Sequence, residues 1–179
     1  MSDWLDSQTP VNQQSFPHFP QPVPGWVIGG GFFTKPRYAT GHRLRHAFTN
    51  NVLMRARLIW ETGMRFKPQY ALMGCEDRDF FQRIGMAGYR IVWADRAVVR
   101  EWIPPERANF RWIIQRMFRV GNATTVIERD LRPGLVTWIG AAARALIWLA
   151  IGLVQTAWGL LAGRRHLVNG LRHIAYSAG

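Results

Sequence analysis

The stretch GCEDRDFFQRIGMAGYRIVWADRAVVREW, residues 74–102, runs from an acidic cluster into an amphipathic segment and then into β-branched residues. The apolar side chains after the acids recur at helical spacing, and carboxylates in a first turn interact favourably with the helix dipole. We therefore predict a helix that begins at Glu76 and is closed by Gly88. The segments YRIVWA and AVVREW predict two short strands around an Asp95-Arg96 turn. This stretch indicates a mixed α/β fold.

The composition indicates a folded basic protein with an anionic partner. The 179 residues contain 23 Lys+Arg against 11 Asp+Glu, a formal net charge of +12. Hydrophobic residues make up 48% of the chain, which is too many for a disordered protein. Nucleic acid, anionic lipid and phosphate-bearing substrates all suit this charge, but no nucleic-acid-binding motif is present and we do not expect nucleic acid as a partner. Cys75 is the only cysteine, which favours a reducing compartment.

The N-terminal part shows fewer regular patterns. Residues 1–24 contain five prolines, and we predict that they are irregular. WVIGGGFF, residues 26–33, is interpreted as a flexible glycine turn rather than a phosphate-binding loop, because no Lys-Ser/Thr follows. TNNVLMR, residues 49–55, predicts a short strand. The following ARLIWETG predicts a helix that ends at Gly63.

The C-terminal part indicates membrane contact. Residues 106–130 form a basic amphipathic pattern of the kind found on helices at membrane surfaces. ALIWLAIGLVQTAWGLLAG, residues 145–163, is uncharged and about as long as the roughly 20 residues that cross a bilayer. Both a full span and a segment lying at the interface fit this pattern. The final HLVNGLRHIAYSAG, residues 166–179, predicts a second short amphipathic helix.

Several of these segments together resemble one protein family. TNNVLMRARLI and the stretch from GCEDRDFF through IPPERANFRWIIQRMFRVGN resemble the C-terminal half of a bacterial family-2 glycosyltransferase of the succinoglycan, exopolysaccharide-biosynthesis type. The resemblance covers roughly residues 24–122 and implies a partial GT-A (Rossmann-like) fold. We accordingly predict an irregular segment over 1–24, an acceptor half of the GT-A domain over 25–130, and hydrophobic membrane-associated helices over 131–179.

The resemblance also implies a reaction. Family members transfer a sugar from a nucleotide-sugar donor to a lipid-linked or polysaccharide acceptor, and inverting members use an aspartate as general base. The family's Glu-Asp pair falls on Glu76 and Asp77, so that Asp77 is the predicted base and Glu76 binds the acceptor or orients the base. From the spacing alone, Asp77 and Asp79 are better explained as first-turn acids that stabilise a helix.

Further site positions follow from the same resemblance. Acceptor- or phosphate-binding roles fall on Asp79, Arg107, Trp112, Arg116 and Arg119. For Asp79, capping the turn or pairing with a neighbouring arginine is the alternative. For the other four, the alternative is a basic stripe that faces solvent or lipid headgroups. Glu101 stands where many relatives have a metal-binding histidine, and an ordinary surface position on a strand is the alternative there.

The sequence also departs from the family. Asn50 and Cys75 replace common glycines, and Lys67 replaces a common aspartate. The nucleotide-binding half and its Asp-x-Asp metal motif are not found in this chain, since Asp3 and Asp6 lie in a polar segment without a preceding strand. We therefore expect the N-terminal nucleotide-binding half to be lacking and the isolated chain to be inactive. Either the chain is a truncated gene product, or it works with a separate donor-binding chain or as a homo-oligomer.

The intact family is expected to use Mg²⁺ or Mn²⁺ and to act at the cytoplasmic face of the inner membrane. A non-catalytic basic protein that binds anionic lipid remains the alternative function. Binding of a nucleotide sugar and a metal by the purified chain would separate the two hypotheses.

Overall fold

The computed structural model describes residues 11–19 and 22–179, with side chains from Pro17 onward. As predicted, the described chain is mixed α/β, with a small four-stranded sheet and mostly helices. The strands are β1 (Val11–His18), β2 (Arg43–Leu44), β3 (Val52–Leu53) and β4 (Ile91–Trp102). The helices are α1 (Gly25–Gly29), α2 (Ala56–Thr62), α3 (Glu76–Met86), α4 (Phe110–Leu131), α5 (Leu135–Ala162) and α6 (Arg164–Ala178).

The sheet has the strand order β2-β4-β1-β3. Strand β2 runs antiparallel to β4, with Leu44 opposite Ile91, and β3 runs antiparallel to β1, with Leu53 opposite Val11. The prediction of two strands around Asp95-Arg96 is wrong, because β4 continues through both residues. Thr40 exchanges hydrogen bonds with Asp95, accepting one from its backbone N–H at 3.1 Å. This pairing keeps Asp95 within the strand, although aspartate commonly favours turns.

The prediction that residues 1–24 are irregular is wrong for β1; residues 1–10, 20 and 21 lie outside the described part. Pro17 is tolerated in this strand for a geometric reason. The carbonyl of His18 accepts a hydrogen bond from Ile103 N–H at 2.8 Å. Because successive backbone groups in a strand point to opposite sides, the missing N–H of Pro17 faces away from this partner. The pairing with β3 lies further back in the strand, at Val11 and Asn12.

The chain divides into two compact units. The first contains the described residues from Val11 to Pro17 together with Thr34–Glu101. Its core is built on Phe80, Phe81 and Ile84 of α3, the residues whose spacing predicted the helix, together with Leu58 of α2 and Ile91 of β4. Helix α2 ends, as predicted, at Gly63, whose φ of 64° is left-handed.

The second unit contains His18–Phe33 and Trp102–Gly179. Its small apolar cluster is centred on Val27 and Ile103. Helix α4 is capped by Asn109, whose side-chain oxygen accepts a hydrogen bond from Trp112 N–H at 3.0 Å. The predicted terminal amphipathic helix is confirmed as α6. The predicted boundaries at residues 24 and 130 stay a prediction.

Among the described residues, one helix is long and apolar enough to cross a membrane by length and composition, and it is α5. It begins ten residues before the predicted segment 145–163 and has 28 residues. Its apolar surface is largely uncovered, since only 11% of the most hydrophobic window is buried. This is weak evidence for membrane association.

Candidate active site

The predicted base lies at the start of α3, directly after a backbone reversal. Gly74 and Cys75 have φ values of 70° and 72°, and Cys75 is the only non-glycine residue with positive φ in the described chain. A side chain in this left-handed region costs roughly 1–2 kcal/mol, which explains why glycine suits the position. The reversal places Asp77 in the first turn of α3.

Both carboxylate oxygens of Asp77 accept backbone hydrogen bonds. Oδ1 accepts from Arg78 N–H at 2.7 Å, and Oδ2 accepts from Thr49 N–H at 3.4 Å. Burial raises the pKa of Asp77, and the neighbouring charge of Glu76 adds to this, whereas the two amides and the ammonium of Lys35 lower it. Burial prevails, so the pKa of Asp77 lies above that of an ordinary aspartate. The carboxylate is thus held in position and is more basic than usual.

A small polar network in the same unit involves Glu101, at the end of β4. Its Oε2 lies 3.3 Å from Lys35 Nζ and accepts a hydrogen bond from the side-chain amide of Asn50 at 3.2 Å. Lys35 Nζ also lies 4.8 Å from the centroid of the Phe48 ring. Since Thr49 contacts Asp77 and the adjacent Asn50 contacts Glu101, the short turn at 49–51 links the beginning of α3 to the end of β4.

The surroundings of Glu101 do not fit the predicted metal ligand. The ammonium of Lys35 beside its carboxylate repels a second cation. Within the ranges that the structure describes, no group of three or more His, Cys, Asp or Glu side chains is placed to hold a metal. No step of the reaction considered below uses a metal bound by Glu101.

Asp79 is fully buried and lies between two cations. Arg83 approaches Oδ2 through Nη2 at 2.7 Å and Nε at 2.8 Å, and it also donates to the carbonyl of Arg65 at 2.7 Å. Lys67 Nζ stands 3.3 Å from Oδ1, at ion-pair distance but without hydrogen-bond geometry. Pairing with a neighbouring arginine, the alternative considered for Asp79, is therefore what the structure contains. This environment accounts for Asp79 without an acceptor ligand.

The other predicted side chains belong to the second unit, around Trp112. The guanidinium carbons of Arg107 and Arg116 lie 6.0 Å and 5.0 Å from the centroid of the Trp112 ring. Phe33 stacks on the same indole at 5.6 Å. Arg119 lies on α4, as do Trp112 and Arg116, and its side chain is exposed. Their phosphate- or acceptor-binding role stays a prediction.

Sequence reasoning missed Lys35 and His46. The chain has only two lysines, Lys35 and Lys67, among 23 basic residues, and both pair with a carboxylate. The rarity of lysine was the available signal in the sequence.

His46 packs edge-on against Phe48, with the ring centroids 5.3 Å apart. Burial, helped by the charge of Arg78, lowers the pKa of His46 to about 4. The imidazole is therefore neutral at pH 7, and no sequence pattern indicated this.

Comparisons with known proteins give one informative relative. The chain is 36% identical over 119 residues to the succinoglycan biosynthesis protein ExoM of Rhizobium meliloti (strain 1021). The match covers 66% of this chain but only 38% of that protein. No protein-family model matches the chain, and no solved structure matches it. The predicted resemblance to the succinoglycan-biosynthesis group is thus confirmed at the level of sequence similarity.

Proposed function

We propose that this chain carries the catalytic base of an inverting family-2 glycosyltransferase in exopolysaccharide biosynthesis, built on a partial GT-A domain. The observation that carries the proposal is the state of Asp77. Its carboxylate is half-buried at the start of α3 and held through both oxygens, and its pKa is raised. The similarity to a succinoglycan biosynthesis protein supports the same class of reaction.

The proposed reaction forms one bond and breaks one at the anomeric carbon. The acceptor hydroxyl oxygen attacks that carbon while the bond to the nucleoside diphosphate breaks, and the leaving group departs with the bonding electrons. The hydroxyl proton passes to Asp77. Because attack and departure occur on opposite faces, the anomeric configuration is inverted. Oδ2 is the better placed acceptor atom, since its contact with Thr49 N–H is the longer one, at 3.4 Å.

The raised pKa suits this task. A general base is most effective when its pKa lies near the working pH, because a more basic carboxylate binds the proton more strongly in the transition state. The hydrogen bonds from the Arg78 and Thr49 N–H groups, and to a smaller extent the ammonium of Lys35, oppose this rise in pKa because they favour the ionised carboxylate. Glu76, the adjacent residue in the first turn, is proposed to bind or orient the acceptor.

The complete reaction needs more than the residues described above. We propose that the nucleotide-sugar donor, with Mg²⁺ or Mn²⁺, is bound by another part of the enzyme or by a partner chain. A lipid-linked or polysaccharide acceptor at the cytoplasmic face of the inner membrane is the proposed second substrate. The exposed apolar surface of α5 supports a membrane location.

The proposal is tested in cells that naturally make the protein, because these contain any partner chain. The gene is deleted and the full chain is restored on a plasmid. Membranes are then given labelled nucleotide sugars one at a time, and label in the lipid and polymer fractions is measured. We expect transfer from one donor only when the chain is present, with a product of opposite anomeric configuration by NMR. Equal transfer without the chain, or a retained configuration, would contradict the proposal.

A second function is favoured by one observation. The long apolar surface of α5 is sufficient for a non-catalytic membrane-associated protein. The two functions differ in their dependence on the carboxylate of Asp77. If the protein has only a structural role in the membrane, the Asp77→Asn variant should restore polysaccharide production as well as the unmodified chain does.

A further inference from the structure

Helix α5 exposes only apolar residues. Its four polar residues, Thr137, Arg144, Gln155 and Thr156, are all half-buried against the rest of the second unit, whereas every exposed position along its 28 residues is Gly, Ala, Val, Ile, Leu or Trp. At 100° per residue the exposed positions, apart from Ala162 at the last residue of the helix, cover about 200° of the helix circumference. The apolar face therefore runs unbroken from one end of α5 to the other.

A straight stripe marks the centre of this face. Ile139, Leu146, Leu153 and Leu160 follow one another at intervals of seven residues and are 60%, 66%, 55% and 73% exposed. Trp138 and Trp158 are exposed on opposite sides of the stripe. Tryptophan prefers the boundary between apolar and aqueous phases, and this arrangement places one at each lateral margin of the apolar face.

The opposite face of α5 is covered by two polar helices in succession. Along the first half lies α4, where Glu128 pairs with Arg144 at 2.6 Å and the Arg129 guanidinium lies 5.9 Å from the Trp138 ring. Along the second half lies α6, whose His173 is hydrogen-bonded to Gln155 at 3.0 Å. A methyl group added at Gly152 or Gly159 of α5 would overlap the α6 backbone. The full length of α5 thus has protein on one side only.

Both covering helices also carry charges beside the middle of α5. Arg119 is exposed on α4, and Arg172 is half-buried on α6 next to His173, the partner of Gln155. If α5 crossed a bilayer, the two helices that are packed along it would bring these arginines into the hydrocarbon. Each such charge costs at least roughly 2.5–3.5 kcal/mol on insertion scales. No charge enters the hydrocarbon if α5 lies flat.

We propose that α5 lies in the plane of an anionic membrane, with the stripe Ile139–Leu146–Leu153–Leu160 facing the acyl chains and α4 and α6 on the water side. The helix is about 42 Å long at 1.5 Å per residue, whereas the hydrocarbon core is about 30 Å thick. Exposed arginines stand at both ends of the apolar face, Arg132 before α5 and Arg164 and Arg165 after it. Together with a net charge of +12, they favour anionic headgroups. The inference does not depend on sugar transfer.

The test measures the depth of the stripe in vesicles. In the full chain carrying Cys75→Ser, single cysteines replace Ile139, Leu146, Leu153 or Leu160 in turn and are labelled with nitroxide. Depth is read from the relative accessibility of the label to oxygen and to a water-soluble nickel complex, in phosphatidylglycerol–phosphatidylcholine vesicles. All four positions are exposed, so the labels leave the fold intact, which circular dichroism verifies.

The outcomes separate three arrangements. The proposal predicts that all four labels lie at the same depth. Labels 139 and 160 at opposite interfaces, about 30 Å apart along the normal, with 146 and 153 between them, would overturn it in favour of a span. Labels that stay accessible to water in the presence of vesicles would also overturn it. So would mutual broadening of the nitroxide spectra in lipid-free protein, because this would show that two copies of the chain pair through the stripe.

A second variant tests the lipid charge. Arg164→Gln with Arg165→Gln should weaken partitioning into the anionic vesicles about thirtyfold, while binding to pure phosphatidylcholine vesicles stays unchanged. An equal loss in both kinds of vesicle would contradict a role for anionic headgroups.

Discussion

The backbone N–H of Thr49 donates a hydrogen bond to Oδ2 of Asp77 at 3.4 Å, although the two residues are 28 positions apart in the chain. The Thr-Asn-Asn stretch and the acidic cluster, which the sequence presents as separate motifs, therefore meet at one carboxylate. Asn50, the next residue, holds Glu101 in the same unit. The turn at 49–51 organises the site mainly through its backbone and one amide side chain.

Replacing aspartate by asparagine should lower the stability of the protein much more at position 79 than at position 77. Asp79→Asn leaves Lys67 and Arg83 without their shared counter-charge. The side chains of Lys67 and Arg83 remain 33% and 18% exposed, so water can solvate them in part. We therefore expect the free energy of unfolding to fall by about 2–4 kcal/mol, which is no more than the cost of breaking a fully buried ion pair. Denaturant unfolding measures this, with Asp77→Asn as the matched control. Equal stability of the two variants would contradict the structural role of Asp79.

The pH dependence of sugar transfer should report the raised pKa of Asp77. The rate should fall on the acid side, with a midpoint above the roughly 4 expected of an ordinary aspartate. Lys35→Gln removes a charge that lowers this pKa, so the acid limb should move to higher pH while the plateau at alkaline pH changes less. The rate is measured in membranes from about pH 4 to pH 9, which includes the ordinary aspartate range. A limb that does not move would exclude electrostatic coupling between Lys35 and the base.

His46 should make the first unit sensitive to acid. Its folded-state pKa of about 4 lies below the ordinary histidine value of 6.5, so between these two pH values the unfolded chain binds more protons than the folded one. Stability contributed by the neutral imidazole is complete above pH 6.5 and is lost as the pH falls towards 4. His46→Gln should remove this part of the pH dependence. Thermal melts of both proteins across that range measure it, and parallel curves would contradict the burial of a neutral His46.

Two glycines of α5 provide a matched pair. Gly159 faces α6, and a methyl group there would overlap the backbone of His166 and Leu167, whereas at Gly140 it would meet open space. Gly159→Ala should destabilise the second unit by at least about 1 kcal/mol. Gly140→Ala should stabilise it by up to about 1 kcal/mol through helix propensity. Melts in detergent compare the two, and similar shifts would argue against close packing of α5 on α6.

The sequence predicted what depends on local spacing. Helix α3, the end of α2 at Gly63 and the terminal helix α6 follow from periodicity and caps within a few residues. The continuity of β4 was missed because it depends on Thr40, which reaches Asp95 from a distant part of the chain. The position of Lys35 next to Glu101 depends in the same way on tertiary structure. The Asp79–Arg83 pair has visible i,i+4 spacing, but its burial follows from packing that no local pattern encodes.

The most direct test of the central claim is the rate of sugar transfer by Asp77→Asn in the complemented deletion strain. An amide keeps the size of the side chain and its hydrogen bond from Arg78, but it does not accept the acceptor's proton. We predict that the rate falls about a hundredfold to ten-thousandfold, with the protein present in the membrane at its normal level. A rate within a fewfold of the unmodified protein, at equal abundance, would show that Asp77 is not the base.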